Sequence, residues 1–182
     1  EEQRNFSHVW FTLSTREGIF FMTSKFLFLW QNGSKQLEVW TSDSSFNAAF
    51  ACADKLYIRQ ENNGLMQMEK NALTLVPGGE QFAHEKVYLM VPYQLGASSF
   101  KLLIGTRSQG FFLYDGTAAV PFPTEADAYL EKNFLYRGIA LSSPSASPGE
   151  FALATRLGGL LIMDTRGRVK QIINKTSGLL DD

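Results

Sequence analysis

Residues 101–116 read KLLIGTRSQGFFLYDG and residues 150–167 read EFALATRLGGLLIMDTRG, and the pattern that these stretches share decides the fold of this 182-residue chain. Each is an apolar run ending in Thr-Arg, followed by two loop residues, a glycine, a second apolar run and a turn containing Asp and Gly. Thr106 and Thr155 are 49 residues apart, and the glycines four residues after them have the same offset. Repeats of this length indicate one supersecondary unit that the chain uses several times.

Two weaker copies of the pattern precede these stretches. Residues 55–76 carry Gln60 at the threonine position, and residues 18–30 carry Thr23 there with a shorter loop after it. Four related units therefore account for nearly the whole chain.

The apolar runs and the turns between them predict short β-strands. Residues 102–104 and 153–154 are unbroken apolar runs, which are typical of strands covered on both faces. The repeated glycine allows the positive φ of a tight turn between two strands. Innermost strands are predicted at residues 9–13, 46–52, 87–91 and 138–141, third strands at 111–114 and 160–163, and outermost strands at 37–40, 73–76, 119–122 and 169–173.

Helix signals are scarce. Residues 125–133 are predicted to be helical, with Thr124 before them as a candidate N-cap. Residues 142–149, SSPSASPG, have the composition of an exposed loop.

Four-stranded units at this spacing predict an all-β fold, a β-propeller or partial propeller of about four four-stranded blades. A β-sandwich is the alternative, and it accounts for the turn residues but not for the repeated Thr-Arg-x-x-Gly. Residues 1–182 form a single propeller segment in this interpretation. Its blades fall roughly at residues 6–43, 44–80, 84–123 and 135–176, and residues 177–182 begin a further blade.

The composition excludes several classes of function. With 17 basic and 18 acidic residues the net charge is −1, so the chain lacks the basic surface that binds nucleic acid. No apolar stretch approaches the roughly 18 residues of a membrane span, and we expect no membrane contact by this segment. The single cysteine, Cys52, excludes an internal disulfide. The initial EEQR does not begin a signal peptide, so we expect a mature form or an excised piece if the parent protein is exported.

The sequence offers few candidates for catalysis or metal binding. Its two histidines, His8 and His84, have no Cys or acidic residue at ligand spacing, so we predict no metal site and no cofactor. It has no Gly-x-Ser-x-Gly nucleophile motif, and Asp115 and Asp164 are explained by turns. We therefore predict no catalytic residue.

Residues 151–182 read FALATRLGGLLIMDTRGRVKQIINKTSGLLDD, a stretch that resembles the regulator-propeller repeat of bacterial sensor proteins. In that repeat an Ala-Thr or Gly-Thr strand end leads through Gly-Gly-Leu to an apolar strand and Asp-x-x-Gly. A Gly-Leu-x-Asp-Asp element then starts the next blade. Residues 101–116 match the same pattern, whereas the first two units depart from it at the loop length and at Gln60.

The resemblance implies the ligand-binding sensor region of a bacterial signal-transduction protein of the two-component type. Such propellers lie in the periplasm or outside the cell as part of a membrane-anchored protein. They pass ligand occupancy to a kinase, cyclase or DNA-binding module, so this segment itself is not an enzyme. Their rings usually have more than four blades, which implies that this chain is cut where another blade begins.

End blades have a physical consequence of their own. Each blade covers its apolar faces with its neighbours, and an end blade lacks one neighbour. Exposed apolar patches larger than about a few hundred Å² generally mark interfaces. We therefore expect either a closed four-bladed ring or self-association through the end blades.

Binding residues are expected on the loops that join blades and on the turns between second and third strands, because rigid scaffolds carry function on loops. The candidates for binding an unknown small molecule or glycan are Asp43, Asn62, Glu80, Arg107, Gln109 and Arg156. Arg107 and Arg156 recur at one position of the repeat. Packing of their aliphatic stems under a solvated head is the favoured interpretation, and a set of guanidinium groups for carboxylates or sugar hydroxyls is the alternative.

Two other functions remain open from the sequence. One is a protein–protein interaction propeller with no small-molecule ligand. The other is a carbohydrate-active propeller, a glycosidase or lyase, in which Asp43 or Glu80 would supply a carboxylate.

Overall fold

The computed structural model describes residues 8–31, 33, 37–52, 54–94, 101–141 and 149–180. These residues form sixteen strands in four antiparallel sheets, and each sheet consists of four strands that follow one another in the sequence. The chain divides into two compact units, Glu1–His84 and Glu85–Asp182, with two sheets in each.

The first unit contains sheets 1 and 2. Sheet 1 consists of β1 (Phe11–Ser14), β2 (Ile19–Met22), β3 (Phe26–Trp30) and β4 (Leu37–Thr41), and sheet 2 of β5 (Phe46–Cys52), β6 (Lys55–Gln60), β7 (Gly64–Glu69) and β8 (Ala72–Leu75). A short 3₁₀ helix, Gly79–Phe82, follows β8. The two sheets enclose one apolar core, formed by Phe20, Met22, Leu27, Leu29, Phe46, Ala49, Leu56 and Ile58.

The second unit contains sheets 3 and 4 and one α-helix. Sheet 3 consists of β9 (Val87–Tyr93), β10 (Lys101–Thr106), β11 (Phe111–Tyr114) and β12 (Ala119–Phe122), and sheet 4 of β13 (Leu135–Leu141), β14 (Glu150–Thr155), β15 (Leu160–Asp164) and β16 (Val169–Ile173). Helix α1, Asp127–Asn133, joins the two sheets. Their core consists of Leu89, Tyr93, Leu103, Phe111, Ala126, Leu130, Leu135, Phe151, Leu153, Leu161 and Met163.

The strand register confirms that the repeated residues occupy equivalent positions. Gln60, Thr106 and Thr155 each end a second strand and each pair with the first residue of the neighbouring inner strand, where the register shifts by one residue. The next residue in each turn donates its backbone N–H to the carbonyl just before that inner strand. These bonds are Glu61 to Ser45, Arg107 to Lys86 and Arg156 to Phe134.

Three details differ from the sequence-based prediction. The inner strand of sheet 4 begins at Leu135, three residues before the predicted start, and α1 begins at Asp127 rather than at residue 125. Thr124 is not the N-cap, because Ala126 holds that position without a side-chain cap bond. The Thr124 hydroxyl instead donates to the Asp127 carboxylate at 2.6 Å, and the same carboxylate accepts the Thr124 N–H at 2.9 Å.

The prediction that both faces of the second strands are covered is confirmed in sheet 3 and is wrong in sheet 4. All three residues of the run 102–104 are buried. In β14 the burial alternates, with Phe151 and Leu153 buried and Ala152 and Ala154 partly exposed, because one face of sheet 4 is not fully covered.

Two predictions fall largely outside the described residues. Of the predicted loop 142–149, the structure describes only Gly149. Of residues 177–182, predicted to begin a further blade, the last two are outside the described range, and Ser177 ends a short 3₁₀ helix, Lys175–Ser177.

Candidate ligand-binding site

A cleft of about 330 Å³ lies in the second unit, between the β10–β11 turn and helix α1. The turn contributes one wall and the first turns of the helix contribute the other. Its lining residues are Thr106, Arg107, Ser108, Gln109, Gly110, Asp127, Ala128, Leu130 and Glu131. Two of the six predicted binding residues, Arg107 and Gln109, are among them.

The repeated threonine fixes the turn that forms the first wall. The Thr106 hydroxyl donates to the Gly110 carbonyl at 2.8 Å and accepts the Gln109 N–H at 3.0 Å. Thr155 makes the same pair of bonds in sheet 4, at 2.9 Å and 3.0 Å. A hydroxyl suits this position because it donates and accepts at once, which satisfies two backbone groups of a tight turn.

Glu85 holds the same turn from the other side. This buried carboxylate accepts the Ser108 N–H at 2.8 Å and the Ser108 hydroxyl at 2.9 Å. Hydrogen bonds to an ionised acceptor are stronger than neutral ones, so the pair anchors the turn firmly. Sequence reasoning missed Glu85, since Ser108 lies 23 residues away and only the pairing of β9 with β10 brings the two together.

The Arg107 guanidinium lies over the ring of Phe134, 5.3 Å from its centroid. Cation–π contacts of this kind hold a guanidinium in place without using its N–H groups. Its guanidinium makes no hydrogen bond or ion pair with the described residues, so its donors are available at the cleft. The ring contact involves the guanidinium itself rather than the aliphatic stem, so both the stem-packing interpretation and the guanidinium-site alternative stay predictions.

Carboxylates occupy the helical wall. Both oxygens of Asp127 are engaged, one with the Thr124 hydroxyl and the other with the Thr124 N–H. Glu131 is exposed, and the buried side chain of Leu130 supplies an apolar surface. The cleft therefore offers a cation on one wall and a free carboxylate on the other.

Arg156 lies near the same residue as Arg107 but outside the cleft lining. Its backbone N–H donates to the carbonyls of Asn133 and Phe134, each at 3.0 Å, and its side chain is exposed. The structure thus brings two residues that are 49 positions apart to Phe134.

The other three predicted residues lie in connections between strands of the first unit. The Asp43 carbonyl accepts Lys25 Nζ at 2.5 Å. Asn62 has a φ of 65° and donates its N–H to the Ala83 carbonyl at 3.0 Å, and Glu80 is exposed in the 3₁₀ helix. They do not line the described cleft.

Arg59 is a buried arginine that was not among the residues singled out from the sequence. It is only 2 % exposed, and its guanidinium donates to the carbonyls of Phe82 and Ala83, at 3.1 Å and 2.6 Å, and to Asn47 Oδ1. A buried arginine is stable only when its donors are satisfied. It fixes the connection after sheet 2, which is a structural role.

The turn carboxylates behave as predicted. Asp115 accepts the Thr117 hydroxyl and the N–H groups of Ala118 and Thr117, which lowers its pKa to about 2. Burial alone would raise the pKa of Asp164, but hydrogen bonds from Arg168 and Arg166 outweigh burial and lower it. Both groups are therefore ionised at neutral pH and committed to turns.

The part of the chain that the structure describes contains no group of three or more His, Cys, Asp or Glu side chains that could hold a metal ion. None of its helices has the length and apolar character needed to cross a membrane. Burial raises the pKa of the Cys52 thiol to about 12, which keeps it protonated.

Comparison with known proteins identifies the fold. No protein-family model matches the sequence, and no curated protein matches it. The structure of BBS1N in complex with ARL6DN is similar to this chain, with a TM-score of 0.57, 12% identity, and coverage of 91% of this chain and 54% of that chain. BamB from Moraxella catarrhalis (TM-score 0.49, 18% identity, 88% and 50% coverage) and the N-terminal domain of Nup159 (0.46, 11%, 88% and 61%) are also similar.

The four consecutive four-stranded sheets and the similarity to BBS1N show an all-β chain of β-propeller blades, which confirms the predicted fold class. The chain spans between 50% and 61% of the length of these propeller structures.

Proposed function

We propose that this chain is the ligand-binding propeller region of a bacterial sensor protein, located in the periplasm or outside the cell, and that a small polar ligand binds in the cleft beside Arg107. The observation that carries this proposal is the Arg107 guanidinium, which Phe134 holds at the cleft while its hydrogen-bond donors are unused among the described residues. The resemblance of the last two repeats to regulator propellers supports the sensor role. The segment binds its ligand and leaves catalysis to other parts of the protein.

The chemistry of the cleft selects the ligand class. A guanidinium matches carboxylates and sugar hydroxyls, because its planar donors can bind two oxygens at once. Gln109 and Glu131 supply further polar groups at the rim. The volume of about 330 Å³ is at the lower end of the range for small-molecule sites, roughly 300–1,000 Å³. A small carboxylate or a short glycan fits these features.

Helix α1 gives the ligand a route to the rest of the second unit. The Tyr129 hydroxyl donates to the Gly158 carbonyl at 2.5 Å, so α1 is bonded to the β14–β15 turn of sheet 4. A ligand that bridges Arg107 and Glu131 therefore favours one packing of sheet 4 against sheet 3. Binding then biases a two-state equilibrium, which is the physical basis of a sensor.

The proposal is tested by screening ligand binding to the chain. The probes are succinate, glutamate, glucose and cellobiose. A rise in the melting temperature of the chain identifies a probe that binds, and isothermal titration calorimetry then measures its affinity. We expect at least one probe to bind and Arg107→Ala to weaken it by about tenfold or more, which corresponds to about 1.4 kcal/mol. Arg166→Ala is the matched control, since Arg166 lies on an exposed turn of sheet 4, and its affinity should equal that of the wild type. Equal affinity of Arg107→Ala and wild type would refute the site.

A protein–protein interaction propeller is the second candidate. Its support is that BBS1N, a similar propeller, was solved in complex with ARL6DN. In this case no small-molecule probe binds, and a folded protein partner protects the exposed turns, including Leu157 at 60% exposure, from hydrogen exchange.

A further inference from the structure

The cleft beside Arg107 is lined by charges of both signs, and these charges select the class of ligand. Arg107 supplies the cation, and Asp127 and Glu131 on α1 supply carboxylates. One cation and two carboxylates give the lining a formal net charge of −1. The remaining lining residues are uncharged: Thr106, Ser108, Gln109, Gly110, Ala128 and Leu130.

The charges on the two walls of the cleft do not neutralise each other. In the part of the chain that the structure describes, neither the Arg107 nor the Glu131 side chain makes an ion pair or a hydrogen bond. Asp127 differs, because both of its oxygens are already engaged by Thr124. The cleft therefore presents one available guanidinium on the turn and one available carboxylate on the helix.

The position of Glu131 does not help α1 to form. Glu131 lies in the last turn of the helix Asp127–Asn133, where the helix dipole favours cations over anions. It also lies four residues after Asp127, so the two carboxylates share one face of the helix and repel each other. A carboxylate that costs the helix stability and lines a cleft points to a positively charged group of the ligand.

A zwitterion satisfies both available groups at once. Its carboxylate accepts hydrogen bonds from Arg107, whose planar donors can bind two oxygens. Its ammonium donates to Glu131, on the wall where Asp127 adds further negative charge. A dicarboxylate, in contrast, brings two negative charges to a lining that is already negative, and the juxtaposition of like charges weakens binding.

We infer that the ligand of this cleft is a free α-amino acid with an uncharged side chain, bound by Arg107 through its carboxylate and by Glu131 through its ammonium. The inference rests on the proposed function and narrows its ligand to one class. The uncharged side chain follows from the rest of the lining, where Leu130 and Ala128 supply apolar atoms. The small volume, about 330 Å³, favours one amino acid over a peptide, because each further residue lengthens the ligand by about 3.8 Å.

Isothermal titration calorimetry of the whole chain with a charge-matched series of probes tests the inference. L-Leucine carries both charges, leucinamide lacks the carboxylate, and N-acetyl-L-leucine lacks the ammonium. We expect L-leucine to bind, and each derivative to bind about tenfold or more weakly because it leaves one charge of the cleft without a partner. Glycine, which is a zwitterion without a side chain, should bind more tightly than succinate.

Two variants separate the roles of the ligand's charges. Glu131→Gln should weaken the binding of L-leucine about tenfold and should not weaken that of N-acetyl-L-leucine, which has no ammonium. Arg107→Ala should weaken L-leucine but not leucinamide, which has no carboxylate. Glu17→Gln is the matched control, since Glu17 is exposed and does not line the cleft, and it should bind L-leucine like the wild type. Far-ultraviolet circular dichroism establishes that each variant is folded.

The outcomes distinguish this inference from the proposed function. If succinate, glucose or cellobiose binds and is weakened by Arg107→Ala, while neither L-leucine nor glycine binds more tightly, the site stands and the amino-acid class is wrong. Equal affinity of Glu131→Gln and wild type for L-leucine would show that Glu131 does not hold the ammonium, which overturns the inference. If no probe binds, the proposed function fails and this inference fails with it.

Discussion

Replacing Leu161 by alanine is expected to destabilise the second unit by about 2–5 kcal/mol. Leu161 is fully buried in the core between sheets 3 and 4, where its side chain packs with Leu153 and Met163. Truncation removes buried apolar surface and leaves a cavity that the flanking sheets close only in part. Leu157→Ala is the matched control, since Leu157 is 60% exposed in the turn just before this strand, and its effect should be within about 0.5 kcal/mol.

Urea unfolding of the two variants is followed by far-ultraviolet circular dichroism, because the tryptophans Trp10, Trp30 and Trp40 all lie in the first unit and their fluorescence does not report on the second. The two proteins are compared at the same concentration. If Leu161→Ala were as mild as Leu157→Ala, sheets 3 and 4 would not share the core described above.

Replacing the repeated glycines should have unequal effects although they occupy the same position of the repeat. A Cβ on Gly159, at a φ of +78°, would lie 2.4 Å from the Ile173 carbonyl oxygen. At Gly110, with a φ of +74°, the nearest atom would be Asp127 Oδ1 at 3.4 Å. Left-handed backbone costs an L-residue roughly 1–2 kcal/mol, so Gly110→Ala should cost about that much. Gly159→Ala adds a clash with backbone and should cost about 3 kcal/mol or more.

The free energy of unfolding of the two alanine variants, measured side by side, checks this prediction. Equal losses would mean that the β16 backbone does not approach Gly159 as closely as the structure shows. A larger loss at Gly110 would contradict the geometry of both turns.

The fold could be predicted from the sequence because the repeated residues show where the turns between strands lie. Thr-Arg-x-x-Gly fixes where each second strand ends, and the paired positions of Gln60, Thr106 and Thr155 are equivalent in the structure. The start of α1 could not be predicted, since Thr124 and Asp127 bind each other instead of capping the helix in the usual way.

Coverage of sheet 4 could not be predicted either. An apolar run such as 153–154 shows which side chains a strand can bury. Whether they are buried also depends on whether another sheet packs against that face. Ala152 and Ala154 are partly exposed because no described element fully covers that face.

The candidate site was found in part. Arg107 and Gln109 were identified because loops at second-to-third-strand turns carry function. Glu85, Phe134 and the helical wall were missed, since their contacts with the turn depend on strand pairing and on the position of α1. No local pattern reports such contacts. Arg59 had no signal at all, because an arginine in an apolar strand is usually exposed.

The stacking of sheet 4 on sheet 3 as successive blades is tested most directly by methyl nuclear Overhauser effects. Leu89 Cδ1 and Leu153 Cδ2 each lie 2.9 Å from the place that a Cβ of Gly138 would occupy. A cross-peak between these two methyl groups is therefore predicted. Its absence, together with cross-peaks from Leu89 to Ile139 or Ala152, would place the other face of sheet 4 against sheet 3 and would contradict this account.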